Sequence, residues 1–404
     1  MLNVEDNIAK LCIDKYNSLK KTGKPIDNEW TVLAGIVLKD NSDNLSVVSL
    51  ATGTKCLGIN ELTNTNLYNI GERLNDSHAE ILTRRALLRY FYDQIDQLFS
   101  STTTATSDVF ILNRNRQIEL KKNISFYFYC SQTPCGDCSI IPKIQNQLIN
   151  NLASPPLKMP KLNSDETTSY LINDLYRTGA KCVETEIKKD DHLPGVNYHV
   201  VGPLRTKPGR GDATLSLSCS DKIAKWNILG VQGALLSLII PKIKLEIIVI
   251  GGGCPFSLEA MQRGVYKRFY SVDKYNNIPK IVQSSLAFGH MKSQERTNPC
   301  PTSIVWCAVS KRNFEVAVDG RKQGATRNKR GNHLLVARKS LFMSFLKTID
   351  KHPHFKNLPT HPKIIKYYHC KQWSIEYQKL WNYLKLTIFK TWPIKPIKLQ
   401  QFSL

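Results

Sequence analysis

A histidine and a glutamate stand two positions apart, as His78 and Glu80, at the start of an apolar-periodic run that extends to Phe91. Asp76 and Ser77, which precede them, are residue types that favour the N-cap of a helix. We therefore predict that His78 and Glu80 lie in the first turn of a buried helix. Because side chains two positions apart on a helix do not face each other, the glutamate is available to a third group. The best candidate is a metal-bound water molecule, with the histidine as a metal ligand.

Cysteines supply the remaining ligand type for such a site. Cys135 follows a predicted strand at 124–130, and we predict that it opens a second helix extending to about Asn151. The backbone amides of a helix N-terminus would favour its thiolate. A water-activating zinc site needs three protein ligands, an open fourth position and a carboxylate that moves protons. His78 and Cys135 would be two of the ligands, and Glu80 would be the carboxylate.

Two cysteines compete for the place of the third ligand. Cys138 forms a C-x-x-C pair with Cys135, a spacing typical of metal sites. Cys219 is far along the chain but stands just before another predicted helix. The residues alone leave both open. The order H-x-E followed by P-C-x-x-C is typical of zinc-dependent nucleobase deaminases, in which an activated water attacks the base.

The composition points to a polyanionic partner. Of the 404 residues, 56 are Lys or Arg and 33 are Asp or Glu, so the formal net charge is 56 − 33 = +23. Nucleic acid is the expected partner at such an excess, and an acidic membrane is disfavoured because there is no basic amphipathic anchor. No run of about 18 apolar residues predicts a transmembrane helix. The charged N-terminus is unlike a signal peptide, so we expect an intracellular protein, in the nucleus, the cytoplasm or both, whose 11 cysteines are thiols or metal ligands.

The elements that would position these residues follow from periodicity and turn signals. We predict strands at 30–38 and 45–52, joined as a hairpin, strands at 124–130 and 245–250, and a second hairpin at 303–309 and 314–318. Helices are predicted at 77–98, from 218 onwards with Ser220 or Asp221 as the N-cap, and in the basic segment from about 335. Residues 1–29 are expected to be an N-terminal extension, with a short helix, packed on a main domain at 30–404. The stretch at 152–200 is expected to be a flexible insertion with little core.

Three motifs are together similar to one family. They are His78-Ala79-Glu80 followed by Arg84 and Arg85, the run Thr133-Pro134-Cys135-Gly136-Asp137, and the block at 218–236 that begins Ser218-Cys219-Ser220-Asp221-Lys222. Over roughly 30–404 the sequence resembles the adenosine deaminase domain shared by the RNA-editing adenosine deaminases and the eukaryotic tRNA-specific adenosine deaminase. The tRNA-specific type is closer, because there is no room for double-stranded-RNA-binding domains before Trp30. The opening residues and the loop at 207–212 are also similar to that type.

The resemblance implies an α/β fold of the cytidine-deaminase type, with a mixed sheet flanked by helices and a helical C-terminal part. It implies zinc held by His78, Cys135 and Cys219, which favours Cys219 over Cys138. Glu80 would be the acid and base in the hydrolytic deamination of adenosine to inosine. The expected substrate is tRNA, at the adenosine just 3′ of the anticodon in alanine tRNA, with no obligate protein partner. The alternatives are deamination of double-stranded RNA, of a free nucleoside or of cytidine, and a non-catalytic RNA-binding role.

The family also implies a buried inositol hexakisphosphate. The positions of this sequence that match its binding residues are Arg84, Arg85, Lys222, Lys225, Arg338, Lys371, Trp392 and Lys395. Buried cations need an anion, because an unpaired buried charge is strongly destabilising. Where the family has a further lysine, this sequence has Trp381, which departs from the pattern.

RNA contacts are expected on a Gly-rich basic loop and beside it. Phosphate contacts are predicted for Arg205, Lys207, Arg210 and Lys55, and the resemblance suggests that Thr54 lines the adenosine pocket. In the editing enzymes a glutamate of this loop replaces the flipped base, and Arg210 stands about there. Phosphate contacts predict binding that weakens steeply with salt.

Overall fold

An eight-stranded mixed sheet organises the computed structural model, which describes residues 2–63, 70–99, 107–143, 174–209, 211–268, 278–325, 333–351 and 365–404. The strands of this sheet are β1 (Leu33–Lys39), β2 (Leu45–Thr52), β3 (Ser125–Cys130), β4 (Ile247–Gly252), β5 (Lys280–Ala287), β6 (Thr302–Cys307), β7 (Phe314–Val318) and β8 (Arg321–Lys322). Their order across the sheet is β5-β4-β3-β1-β2-β6-β7-β8. The pairs β3–β4 and β4–β5 are parallel, and the other pairs are antiparallel.

Burial explains why the central strands read as continuous apolar runs. Every residue of β3 is buried, and β1 is buried except at Lys39. Strands covered on both faces need no polar alternation. The predicted hairpin at 30–38 and 45–52 is confirmed as β1 and β2. Asp40 holds its turn, since its carboxylate accepts from the amides of Ser42 (2.8 Å) and Asn44 (2.9 Å).

Helices cover both faces of this sheet. The α-helices of the described residues are α1 (Val4–Ser18), α2 (Ile59–Thr63), α3 (Ala79–Leu98), α4 (Cys219–Leu229), α5 (Gly233–Leu236), α6 (Leu258–Val265), α7 (Arg338–Lys351), α8 (Tyr367–Gln372) and α9 (Ile375–Thr387). Along β3 the side chains alternate between two cores: Phe126 packs in a cluster with Phe91 of α3, and Tyr127 packs in a cluster with Tyr16 of α1. The expected α/β fold, with a mixed sheet flanked by helices and a helical C-terminal part, is therefore confirmed.

The helix predicted to open at Cys135 is wrong. A single 3₁₀ turn at Asp137–Ser139 follows this residue, and the short strand Ile141–Pro142 comes next. Gly136 has a φ of 101°, which is incompatible with a right-handed helix, and Pro142 lacks the amide that a helix interior needs. The rest of the predicted helix, 144–151, lies outside the described residues.

The helix that carries Glu80 is confirmed, but it begins two residues later than the predicted start at 77. His78 is the N-cap of α3 and Glu80 lies in its first turn. Asp76 and Ser77 are not capping residues, because Asp76–His78 forms a short strand paired with Thr54–Cys56. Asp76 and Ser77 therefore belong to a short strand that ends where the helix begins, although their residue types are typical of a helix N-cap.

The helix predicted from 218 is α4, and its N-cap is Ser218 rather than Ser220 or Asp221. Ser218 Oγ accepts a hydrogen bond from the Asp221 amide over 3.2 Å. Ser220 and Asp221 therefore lie inside the first turn of α4.

Short strand pairs tie the loops to this framework. They are Glu29–Trp30 with Asn298–Pro299, Thr54–Cys56 with Asp76–His78, Phe110–Leu112 with Ile118–Leu120, Ile141–Pro142 with Leu175–Tyr176, and Lys181–Cys182 with Arg205–Thr206. The last two pairs anchor the second half of the proposed insertion at 152–200, whose residues 152–173 lie outside the described part. Leu175, Ala180 and Val183 are buried, so this half does contribute core. Within the described residues, no helix has the length and apolar character needed to cross a membrane.

Candidate active site

His78, Cys135 and Cys219 bring their side chains together. His78 Nδ1 lies 3.9 Å from Cys135 Sγ and 3.6 Å from Cys219 Sγ. One ligand atom from each of the three residues lies within 4.8 Å of the others. Imidazole and thiolate are ligands that suit zinc, and catalytic zinc sites use three protein ligands. These three residues could therefore hold a zinc ion.

The N-terminus of α4 positions both sulfur atoms. The Cys219 amide donates to Cys135 Sγ over 3.3 Å, and the Ser220 amide donates to the Cys135 carbonyl over 3.0 Å. The pKa of Cys135 lies well below its usual range, because a hydrogen bond with the Cys219 side chain and the charge of His78 lower it against the effect of burial. The amide that favours the Cys135 thiolate thus comes from α4 and not from a helix of its own.

Gly136 allows α4 to approach the cysteine loop this closely. A Cβ atom at Gly136 would lie 2.3 Å from Ser218 Oγ, so any other residue would push α4 away. The next residue, Asp137, is buried and accepts from the Gly202 amide (2.8 Å) and from Arg263 (2.9 Å). Asp137 is a positioning residue that sequence reasoning missed. The sequence feature that could have indicated this role is an acidic residue directly after Cys135-Gly136.

Cys138 is directed away from this group. Its Sγ contacts the Met261 carbonyl at 3.9 Å, and burial raises its pKa to about 12. Its amide donates to Ser220 Oγ over 3.0 Å. Among the described residues, the group near α4 that could hold a metal contains Cys219 and not Cys138.

Glu80 is buried beside the cysteines without belonging to the ligand group. Its Oε2 atom has no hydrogen-bond partner among the described residues. Burial, the hydrogen bond with Cys135 and the charges of Cys135 and Glu80 raise the pKa of Cys219. After burial, Glu80 is also the largest contributor to the raised pKa of Cys130. A buried carboxylate close to a metal group, with one oxygen free of partners, is suited to proton transfer.

Lys207 is buried and paired. Its ammonium lies 2.8 Å from each carboxylate oxygen of Asp76, and Lys222 and Ser216 bind the same carboxylate. Burial alone would raise the pKa of Asp76, but Lys207 and Lys222 hold it well below its usual range. Asp76 also accepts from the His78 amide over 3.1 Å, so this cluster fixes the backbone at the metal group.

Arg205 is buried in the same way. Its guanidinium binds both carboxylate oxygens of Asp190, over 2.5 and 2.6 Å, and the Val200 carbonyl over 2.6 Å. The predicted phosphate contacts of Arg205 and Lys207 are therefore wrong. A cation in a Gly-rich loop suggested exposure, whereas Lys207 pairs with an aspartate 131 residues away.

The other predicted RNA-contact residues are Thr54, Lys55 and Arg210, and their environments differ. Thr54 is paired in register with His78, and its buried Oγ1 has no partner among the described residues. A pocket-lining role for Thr54 stays a prediction that this position supports. Lys55 follows on the same strand and is half-buried. Arg210 lies outside the described residues.

Asp190, His192 and His199 form a second set of ligand atoms within 4.8 Å of one another. Besides the Arg205 guanidinium, the carboxylate of Asp190 already accepts from the Val200 amide (2.9 Å) and lies 3.0 Å from His199 Nδ1. A metal ion would have to displace a buried guanidinium. We therefore interpret this set as an ion-pair cluster that holds the chain at 190–205 in place.

Six further cations gather between α3, α4 and the C-terminal helices. They are Arg84, Arg85, Lys225, Arg338, Lys371 and Lys395, and none forms a salt bridge within the described part of the chain. Burial and the neighbouring cations lower the pKa values of Lys225 and Lys395 well below their usual range, and that of Arg85 to about 9. Arg84 Nε and Arg85 Nη2 are buried and have no described partner. We call these six residues the cation cluster.

The cations of the cluster change the pKa of Tyr367, which lies among them. Burial alone would raise the pKa of Tyr367, but Lys371, Arg338, Arg85 and Arg84 together lower it. The site therefore has a strongly positive potential and fits a polyanion. Lys222 differs from the six, because its ammonium is paired with Asp76, although it is close enough to lower the pKa of Lys395.

Trp381 supports a cation where the family has a lysine. Lys225 Nζ lies 3.5 Å from the Trp381 ring centroid and 5.0 Å from that of Trp392. The two indoles meet edge to face, with centroids 4.8 Å apart. Trp381 thus holds a charge of the cluster by a cation–π contact.

Comparison with protein families gives one match over most of the chain. The adenosine-deaminase (editase) domain matches residues 49–396. The chain belongs to this family. The membership confirms the resemblance drawn from the three motifs, and with it the adenosine deaminase class of the enzyme.

Individual relatives align along nearly the whole sequence. The tRNA-specific adenosine deaminase 1 of Drosophila melanogaster is 34% identical, over 98% of this chain and 96% of its own length. The human protein of the same name is 32% identical, over 98% of this chain and 99% of its own length. The double-stranded RNA-specific adenosine deaminase of the mouse is 26% identical over 99% of this chain, but the alignment covers only 32% of its own length.

Proposed function

We propose that this chain deaminates adenosine to inosine in tRNA, by zinc-dependent hydrolysis, at the adenosine just 3′ of the anticodon in alanine tRNA. The observation that carries the proposal is the end-to-end similarity to relatives described as tRNA-specific, at 34% and 32% identity. The formal net charge of +23 supports a nucleic-acid substrate. An enzyme of tRNA works where tRNA is found, so we place it in the nucleus, the cytoplasm or both.

Zinc fits the residues present, because His78, Cys135 and Cys219 offer one imidazole and two sulfur ligands within 4.8 Å of one another. Zinc bound there supplies Lewis-acid activation of a water molecule. The Cys219 amide keeps the Cys135 sulfur in place, and the Asp76 cluster does the same for the backbone of His78. The ligand group is therefore preorganised by the protein.

Glu80 carries the protons of the proposed reaction. Water adds at C6 of the adenine while Glu80 transfers one of its protons to the ring nitrogen. Glu80 then transfers the second proton from the new C6 hydroxyl to the amine, the C6–N bond breaks, and ammonia departs to leave inosine. The target base has to leave its stack to reach Glu80. An anticodon loop, whose bases are already partly unstacked, lowers that cost.

We also propose that the cation cluster binds inositol hexakisphosphate as a buried structural cofactor. The fit rests on the unpartnered donors Arg84 Nε and Arg85 Nη2 and on the lowered pKa of Tyr367. Six phosphate groups would supply the acceptors that these donors lack. Trp392 lines the cluster through its contact with Lys225, and Lys222 joins it to Asp76.

Inosine formation in three substrates tests the proposed function. Purified protein should convert the adenosine 3′ of the anticodon in alanine tRNA, and leave double-stranded RNA and free adenosine unchanged. The KM for tRNA should rise steeply between about 50 and 200 mM salt, because phosphate contacts release counterions. Inosine only in double-stranded RNA would favour the editing alternative, and inosine only from free adenosine would exclude an RNA substrate.

Cysteine variants test the ligand assignment. Cys219→Ser should lose both zinc and activity, whereas Cys138→Ser should keep both, because only Cys219 lies with His78 and Cys135. Zinc content is measured by elemental analysis of the purified proteins and activity by inosine formation. Equal zinc in Cys219→Ser and the unaltered protein would contradict the assignment.

A further inference from the structure

The segment 174–202 lies directly against the cysteine loop of the metal group. The Gly136 amide, next to Cys135, donates to Thr178 Oγ1 over 3.0 Å. At the other end of the segment, the Gly202 amide donates to Asp137 over 2.8 Å. Residues adjoining these two contacts therefore lie close to the cysteine loop of the candidate active site.

The Arg177 guanidinium lies over the Tyr198 ring, and the His192 ring packs against the same ring at an interplanar angle of 59°. We call these three side chains the stack. The Arg177 guanidinium carbon lies 3.8 Å from the centroid of the Tyr198 ring, and the His192 ring lies 4.9 Å from it. Arg177 and His192 are exposed, and Tyr198 is half-buried. Arg177 is the residue before Thr178, so the stack adjoins the contact with Gly136. No salt bridge within the described residues occupies Arg177.

The stack stands on a rigid base. His199, the residue after Tyr198, is held by Asp190, whose carboxylate is bound by the fully buried Arg205. Side chains fixed in this way lose little conformational freedom when a ligand binds.

We propose that Arg177, Tyr198 and His192 form a stacking platform for an unpaired nucleobase that flanks the target adenosine of the RNA. The proposal rests on the proposed function and names a contact that would help to select its substrate. Single-stranded RNA is recognised by stacking of splayed bases on aromatic rings and on guanidinium planes, and the outer face of Arg177 offers such a plane. A base there continues the existing stack while its neighbour enters the active site.

Two substitutions of the exposed Arg177 distinguish the contribution of its charge to RNA binding from the contribution of stacking. Arg177→Lys keeps the positive charge and loses the planar group, whereas Arg177→Ala loses both. Both variants should raise the KM for alanine tRNA about tenfold, the effect of one lost base stack. Tyr198→Leu, which removes the support of the guanidinium, should do the same. Arg114→Ala removes another exposed cation, from the turn between Phe110–Leu112 and Ile118–Leu120, and should leave the KM unchanged.

An abasic nucleotide on either side of the target adenosine identifies the stacked base. One of the two abasic tRNAs should raise the KM of the unaltered protein about tenfold, and Arg177→Ala should lose nothing more with that tRNA. An unchanged KM for Arg177→Ala, full activity of Arg177→Lys, or the same loss on every substrate would overturn the platform. Absence of inosine in any tRNA with the unaltered protein would instead overturn the proposed function itself.

Discussion

Replacing Glu80 by alanine is expected to reduce the turnover of adenosine in tRNA at least about 10³-fold, because acid–base catalysis has no other carrier at this position. Glu80 is buried, its Oε2 has no described partner, and its charge acts on the pKa of Cys219. It is nevertheless outside the ligand group of His78, Cys135 and Cys219. The loss should therefore appear in kcat, with the zinc content unchanged. Single-turnover inosine formation and elemental analysis of the same protein measure the two effects.

Glu80→Gln is the matched control, because it keeps the size and polarity of the side chain but cannot accept a proton at neutral pH. It should be as inactive as Glu80→Ala. Neither variant should be less stable than the unaltered protein, since removing a buried, unpartnered carboxylate oxygen removes a desolvation cost. Near-normal turnover of Glu80→Gln would assign Glu80 a positioning role instead. A lower melting temperature of both variants would show that Glu80 stabilises the fold.

Local patterns predicted the parts of the site that local physics determines. The helix after His78 and the hairpin β1–β2 follow from periodicity and from the turn at Asp40, and both are confirmed. The ligand chemistry of His78 and Cys135 follows from residue type alone. What a pattern of three or four residues could not decide was the third ligand, because Cys138 and Cys219 both satisfied a local rule.

The failures concern partners that are distant in sequence. Cys135 was expected to take its amide from its own helix, but the donor is Cys219, 84 residues away. Lys207 was expected to contact RNA phosphates, but it is paired with Asp76 from the strand before α3. In the sequence, Trp381 is only a departure from the family pattern. Its role appears in the folded protein, where it contacts Lys225. In each case the burial of the group and the tertiary contact determine its chemistry, and neither is encoded in the neighbouring residues.

Protein produced in cells that lack inositol polyphosphates is expected to unfold or aggregate. The cation cluster has no salt bridge among the described residues, and burial with mutual repulsion lowers the pKa values of Lys225, Lys395 and Arg85. An uncompensated buried charge costs about 3–5 kcal/mol, and the whole stability of a domain is about 5–15 kcal/mol. Two or three unpaired cations are therefore enough to unfold the protein. Circular dichroism and thermal melts compare this protein with the same chain made in ordinary cells, and equal melting temperatures would exclude a structural polyanion.

Lys395→Met makes the prediction specific to the cation cluster, because it removes one half-buried charge and keeps an apolar side chain of similar length. With inositol hexakisphosphate bound, this variant should melt at a lower temperature than the unaltered protein, since a phosphate contact is lost. Without the polyphosphate it should melt at a higher temperature, since a repelled cation is lost. Lys398→Met changes an exposed lysine three residues away and should show neither effect. A Lys395→Met shift of the same sign in both conditions would contradict the role of the cation cluster.

The pH dependence of stability gives an independent measure of the same repulsion. The folded-state pKa values of Lys225 and Lys395 lie well below the ordinary 10.5, so the unfolded chain binds more protons than the folded protein between each lowered pKa and 10.5. Stability of the polyphosphate-free protein must then rise as pH increases through that window, because deprotonation relieves the repulsion in the folded state. Bound polyphosphate pairs the ammonium groups, raises their pKa values and should abolish the rise. Urea unfolding with and without the polyphosphate at several pH values measures the difference. The absence of any difference would mean that these lysines are not at a polyanion site.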